Sequence, residues 1–479
     1  MQTSLRLLQT VSAYLPRTVL LERAQDPSLP RVRGRFVEGA VLFADISGFT
    51  ALSERLSQLG RVGAEEVTAI LNRCFTSLLD VLFAHGGDVL KFGGDALTAF
   101  FPGDRRQAGA AVQAALRMQA AMRAFREVRT SVGAFRLEMH AGVNWGRAFL
   151  AEVGSEDRME DVFTGAVVNR TAEAEGVAGA GEVAVTAETF ALLGEGFEGE
   201  AVEGGFYRIC GQRQEAPVRP AGLPALDLHA LDRAGGVALL KPYLVEGLYE
   251  KLLIQSAEVE GEHRRVAVLF IHAWGIDYEG DACAAEKLDR YVTLVEEAAH
   301  RYGGVLNKVD MYTKGDKLMV LFGAPVAHEN DEERALRCAL DIRAEGACLG
   351  FELHHRFGVN TGYVFAGIVG SPLRKEYTVM GDAVNLAARL MGMADEGQIV
   401  LSEAVRARTA AQFELSFLGK RPVKGKAAPV SVYEAVAIAG RQAPQEERQR
   451  LIGREREMEQ LRGVALRALS GAGQVLTLV

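Results

Sequence analysis

The chain repeats itself, and no other feature constrains its fold as strongly. AGVNWGRAFLAEVGS (141–155) returns as FGVNTGYVFAGIVGS (357–371), TGAVVNRTAEA (164–174) as MGDAVNLAARL (380–390), and GEVAVTAE (181–188) as GQIVLSEA (397–404). Gly146 and Gly362, Asn169 and Asn385, and Gly181 and Gly397 each lie 216 positions apart. Upstream, GGDVLKFGGDALTAFF (86–101) matches GGVLNKVDMYTKGDKLMVLFG (303–323), with 221 positions between Asp95 and Asp316. VLFADISGF matches VLFIHAWGI with 227 positions between Asp45 and His272, so small insertions separate the copies. Five matches in one order imply two copies of a single domain, near 34–215 and 262–437. Between them, 216–261 reads as a linker, entered through the Pro-rich, polar stretch GQRQEAPVRPAGLPALD. Residues 1–33 read as an N-terminal helical segment.

Within each copy, apolar runs of strand length (VLFAD, VAVLFI) alternate with stretches of helical spacing such as 62–84 and 107–126. GGDVLKFGGDALTAFF reads as a hairpin of two short strands around Gly93 and Gly94. The order β-α-β-β-α-β predicts an α+β fold, two tandem ferredoxin-like domains extended by further strands. A net charge of −8 offers no basic face to a nucleic acid. Five scattered cysteines without C-x-x-C spacing argue against a disulfide framework or zinc site and point to a reducing compartment, the cytoplasm. No run approaches eighteen apolar residues, and the first thirty residues lack a signal-peptide core, so no membrane span is expected.

Asp45 closes an apolar strand and Asp95 sits at the hairpin turn. If those strands are neighbours, the two carboxylates lie close together and can hold divalent ions, with phosphate oxygens and water completing the shell of Mg²⁺. Ser47, Gly48 and Phe49 then open a helix whose free N–H groups can bind phosphate. Either aspartate alone is adequately explained as turn chemistry; the two in this setting are not.

F-A-D-I-S-G-F-T, K-F-G-G-D-A-L and G-D-A-V-N-L-A-A-R-L together resemble the class III nucleotidyl cyclase family. The paired arrangement is most similar to the bicarbonate-responsive soluble adenylyl cyclases and their bacterial relatives, over about residues 34–437. The resemblance implies two cyclase homology domains packed as a pseudo-two-fold heterodimer within one chain, so that a monomer suffices. It implies ATP as substrate, cyclic AMP and pyrophosphate as products, and two divalent ions (Mg²⁺ or Mn²⁺) as cofactors. Asp45 and Asp95 match the metal ligands, with the Ile46 carbonyl as a further one. Asn385 matches the residue that positions the ribose, and Arg389 the one that neutralises charge at the α-phosphorus. Lys314 and Thr378 fall where the family reads adenine, and Lys424 where a triphosphate-binding lysine is expected.

The opposite site reads as broken. His272 replaces Asp45 although Asp316 is retained, and Glu173 replaces Arg389, where a carboxylate repels a phosphate. The resembled family binds bicarbonate near a lysine matched by Lys91 and an arginine whose place Ala172 or Glu173 takes; Arg170, beside Val168, is the available substitute. His140 stands where relatives place a basic phosphate contact. After residue 437, L-I-G-R-E-x-E-x-x-x-L and VLTLV resemble the entry to an AAA-type ATPase domain, making 438–479 the start of a truncated one. The competing expectations are a guanylyl cyclase, disfavoured by Thr378 with Lys314; a non-catalytic nucleotide or anion sensor regulating a downstream ATPase, which has no use for Arg389; and a scaffold.

Overall fold

The computed structural model describes residues 2–213, 223–255, 261–312, 315–423 and 428–439. Lys314, Lys424 and the ATPase-like tail lie outside the described residues.

Helices α1 (Gln2–Ser12) and α2 (Arg17–Gln25) precede the first copy. Its elements are β1 (Arg33–Ser47), α3 (Phe49–Ser57), α4 (Arg61–Ala84), β2 (Asp88–Gly93), β3 (Ala96–Pro102), α5 (Gln107–Met122), the small hairpin β4 (Val128–Thr130) and β5 (Gly133–Phe135), and β6 (Glu138–Gly154). They continue through β7 (Met159–Thr164), α6 (Ala166–Val177), β8 (Val183–Thr186), α7 (Ala187–Leu193), β9 (Phe197–Val202) and β10 (Phe206–Gln212). Three short helices follow, α8 (Leu228–Arg233), α9 (Gly236–Leu240) and α10 (Leu248–Gln255). The second copy runs β11 (Glu262–Trp274), α11 (Ala284–Arg301), β12 (Val305–Tyr312), β13 (Gly315–Phe322), α12 (Asp331–Gly346), β14 (His354–Ser371), β15 (Arg374–Met380) and α13 (Asp382–Met393). It closes with β16 (Ile399–Ser402), α14 (Glu403–Thr409), β17 (Phe413–Arg421) and β18 (Val430–Ile438).

The two sheets have one topology. The first is ordered β2-β3-β1-β6-β8-β10-β9 with β7 on β6, the second β12-β13-β11-β14-β16-β18-β17 with β15 on β14. Period-two alternation assigns the faces. On β1, Ala40, Leu42, Ala44 and Ile46 enter the helix-covered core, and Val41 packs on the other side. On β11, Ala267, Leu269, Ile271 and Ala273 enter the core, while Val266, Val268 and Phe270 turn to the opposite face. Asp45 and His272 continue the second set in their strands. Helix α4 is the one described helix long and apolar enough to cross a membrane, but its Leu71, Phe75, Leu78 and Leu82 fill the first core.

A pseudo-two-fold axis relates the copies, and buried arginines mark it. Arg158 donates to the Leu306 and Asn307 carbonyls (3.4 and 3.1 Å), and Arg374 to those of Val89 and Leu90 (3.1 and 2.7 Å). Likewise the Val309 amide donates to Glu160 and the Phe92 amide to Glu376 (3.3 and 3.1 Å). The stretch read as a linker contributes Leu231, Leu240, Leu244 and Leu252 to an apolar cluster shared with Leu8, Val11 and Leu20 of the N-terminal helices. Asp88 ties that cluster to β2 by accepting from the Arg17 and Thr18 amides at the start of α2 (3.0 and 2.8 Å).

Candidate active site

Asp45 pairs with Ala96 on one side and His140 on the other, two residues before β1 ends. The β2–β3 turn brings Asp95 beside it through Gly94, whose φ of +82° only glycine adopts easily. Burial, and then the neighbouring charge of Asp45, push the Asp95 carboxyl well above the usual range. Two carboxylates that cannot comfortably ionise together are a donor set short of positive charge, and hard oxygens suit Mg²⁺ or Mn²⁺. The residues present fit divalent cations.

His140 adds to this corner. Its Nε2 is 2.6 Å from Glu175 and 3.7 Å from Asp45, and its Nδ1 is 2.9 Å from the Ser47 hydroxyl. The hydrogen bond to Glu175 raises the imidazole's affinity for a proton, against the effect of burial. Asp45, His140 and Glu175 form a group whose ligand atoms lie within 4.8 Å of one another. Gly48 has φ +90° and a Cβ there would meet the Arg136 carbonyl at 2.4 Å, so only glycine makes the turn into α3. Ile46 is buried in the core, as is the Phe49 ring, which also lines a cavity of about 510 Å³ with Met380, Gly381 and Asp382 at the start of α13.

From the second copy, α13 carries Asn385, exposed, and Arg389, half-buried. Arg389 Nη1 is buried and has no hydrogen-bond partner among the described residues. Leaving a guanidinium nitrogen unsatisfied is costly, as in a site built for an anionic ligand. Thr378 on β15 is 1% exposed, and its hydroxyl meets Asn307 Oδ1 at 3.4 Å.

The register confirms which residues correspond. His272 pairs with Lys317 and Arg356 as Asp45 pairs with Ala96 and His140. His272 is 5% exposed, flanked by the Trp274 and Tyr312 rings at 4.8 Å, with Arg356 Nε donating to its Nδ1 (3.1 Å). Burial pushes Asp316 up to about 7, and the Tyr278 hydroxyl bonds its carboxyl. A single carboxyl, capped by the Tyr278 phenol and with an imidazole where the first copy has its second carboxylate, is a poor seat for Mg²⁺. Asp316 and Asn169 nevertheless line one cavity, of about 310 Å³.

Lys91 faces a smaller cavity of about 160 Å³ with Asp310 and Lys317, and is held by Glu160 (3.0 Å) and Asp161 (3.4 Å). Arg170 pairs with Glu173 (2.6 Å) and lies over the Phe206 ring; Val168 is core. The register also exposes a residue that spacing alone missed. Both hairpins have a bulge, and Lys308 pairs with Met319 as Lys91 pairs with Thr98. Lys308 bonds Glu376 (2.8 Å) as Lys91 bonds Glu160. The second hairpin is longer beyond its lysine, so spacing from the turn points to Lys314 where the register points to Lys308.

Residues 33–216 and 259–435 match the family described as the adenylate and guanylate cyclase catalytic domain. The chain belongs to that family. This chain is 25% identical over 415 residues to adenylate cyclase type 10 of Oryctolagus cuniculus, a match that covers 81% of this chain and 25% of that protein. It is 35% identical over 161 residues to adenylate cyclase 1 of Rhizobium meliloti (strain 1021), 32% of this chain and 24% of that one. It shares its fold with a class III adenylyl cyclase-like ATP-binding protein from Pseudomonas aeruginosa, at 13% identity and a TM-score of 0.54 over 82% of this chain and 92% of the other. The chain spans about a quarter of the length of the first curated relatives it matches.

Proposed function

We propose that the chain is an adenylyl cyclase with one active site, converting ATP to cyclic AMP and pyrophosphate where the copies meet. The supporting observation is an asymmetry. The two-fold relation carries Asp316 and Asn169, which share a cavity, onto Asp95 and Asn385. On that side alone the carboxylate pair is complete and the facing helix bears an arginine with an unsatisfied nitrogen. One chain supplies both halves, so a monomer suffices.

Asp45, Asp95 and the Ile46 carbonyl would hold two divalent cations, which would supply a lowered pKa for the ribose 3′-hydroxyl and charge neutralisation of the triphosphate. Asn385 orients the ribose so that the 3′-oxygen stands in line with the α-phosphorus. Arg389 bonds the α-phosphate oxygens as charge builds on them, the largest electrostatic contribution a side chain can make here. Thr378 reads the adenine together with a lysine, Lys308 by register or Lys314 by spacing. The β- and γ-phosphates are assigned to the Ser47–Gly48–Phe49 backbone and His140, and by sequence match to Lys424. The five unpaired cysteines suit a cytoplasmic enzyme.

A bicarbonate effector is the less favoured part of this reading. Lys91 already has Glu160 and Asp161 within 3.4 Å, so an added anion competes with two carboxylates for it. Titrating bicarbonate at constant pH tests it, with a flat response expected.

The main test incubates the purified chain with ATP or GTP and Mg²⁺ or Mn²⁺ and measures cyclic product and pyrophosphate. Cyclic AMP lost on Asp45→Ala is expected. Product from GTP alone makes it a guanylyl cyclase; none from either nucleotide supports the sensor.

A further inference from the structure

We propose that Asn307 sets the base preference of this site by fixing the Thr378 hydroxyl as a hydrogen-bond acceptor; the inference rests on the reading that Thr378 faces the base. Asn307 is the bulged residue of β12, between Leu306 and Lys308, and is 4% exposed. Its Nδ2 donates to the Tyr377 carbonyl at 3.0 Å. A carbonyl only accepts, so the amide has one orientation, with Oδ1 toward the Thr378 hydroxyl at 3.4 Å. That oxygen also only accepts. The single proton of Thr378 is therefore directed to Asn307, and the hydroxyl is left with lone pairs alone.

The consequence is chemical. Adenine carries an amino donor at the edge where guanine carries the O6 acceptor. A free threonine hydroxyl rotates to serve either one. A hydroxyl whose proton is committed accepts from the adenine amine and sets lone pair against lone pair with guanine.

The first copy supplies an internal control. Its bulge residue is Leu90, between Val89 and Lys91, and the counterpart of Thr378 is Val162, which pairs with Ala151 as Thr378 pairs with Gly367. Both are buried apolar side chains. The fold thus fills these positions with Leu and Val where no base is read. A buried amide and hydroxyl in the second copy answer to something other than packing, since burying them has a desolvation cost. The Asn307 carbonyl that Arg158 grips is backbone and survives substitution.

The test compares wild type with Asn307→Leu, Asn307→Asp and Thr378→Val in the full chain. It measures kcat/KM for ATP and GTP, and calorimetric binding of their unreactive α,β-methylene analogues. Asn307→Leu should shrink the ATP:GTP ratio roughly tenfold, through KM rather than kcat, because the freed hydroxyl can now donate to O6. Asn307→Asp, kept protonated by burial, can donate its O–H to the Tyr377 carbonyl, still accepts from Thr378 and should keep the ratio. Thr378→Val should weaken ATP without improving GTP. If Asn307→Leu melts non-cooperatively, Asn307→Ala frees the same hydroxyl and carries the test. An ATP preference that survives in a folded Asn307→Leu or Asn307→Ala overturns the inference alone. A wild type that distinguishes the nucleotides in neither turnover nor binding overturns the adenylyl reading and this inference with it.

Discussion

Arg158 and Arg374 are one residue used twice: each guanidinium crosses the axis and takes two successive backbone carbonyls at the entry to the other copy's hairpin. Those hairpins carry Asp95 on one side of the axis and Asp316 on the other. The contacts that join the copies are thus built into the strands that present the site.

Arg374→Ala should accordingly reduce both stability and turnover. The Val89 and Leu90 carbonyls lose their donor, as does the Tyr14 carbonyl, which accepts from Nη1 at 2.8 Å. Buried acceptors left bare cost about 1–3 kcal/mol each, reduced by any water that enters, so a loss of about 3 kcal/mol is expected. Urea denaturation gives the number. An unchanged midpoint would show that the arginine is decorative.

Chemistry should divide along the asymmetry. Arg389→Ala should lower kcat by about 10²–10³, the size of losing one transition-state donor. Glu173→Ala, the same position on the other helix, should leave kcat within about twofold. Equal losses from both would mean that both pockets turn over and would end the one-site reading.

The asymmetry of the two halves was legible in sequence because a repeat is its own alignment: Asp45 and His272 are counterparts by spacing and by register. The ferredoxin-like order of strands and helices and the turn at Asp95 followed from hydrophobic period and paired glycines. Lys308 and Asn307 were not legible. A bulge shifts register by one residue without any marker in composition, and two hairpins of unequal length leave open where the extra residues go. Glu175 escaped because it meets His140 only across the α6–β6 packing. The helices of 228–255 escaped because their apolar residues find partners some 220 positions away, in the N-terminal helices.

Metal binding should be visible without turnover. Ions held by Asp45 and Asp95 relieve their repulsion and stabilise the fold, by about 2.7 kcal/mol at a hundredfold excess over Kd. A Tm rise is expected with Mn²⁺ and with Mg²⁺, since both suit the hard carboxylate oxygens of Asp45 and Asp95. Asp45→Ala with Asp95→Ala should abolish the rise. Persistence of the shift would place the ions elsewhere.

The buried acid of the second copy predicts a pH signature. Asp316 has its carboxyl pushed up to about 7 by burial, against about 3.9 in an unfolded chain. Below the lower value both states hold the proton and the residue is neutral toward folding. Between the two, only the folded state holds it, so stability falls as pH rises, at up to about 1.4 kcal/mol per unit. Above 7 the full penalty persists. Asp316→Asn is uncharged throughout and can still bond the Tyr278 hydroxyl, so its melting temperature should match wild type near pH 4 and exceed it increasingly toward pH 7. A difference that does not change across that range would mean that Asp316 is ionised in the fold, with a cation or water reaching the cavity that Tyr278 lines.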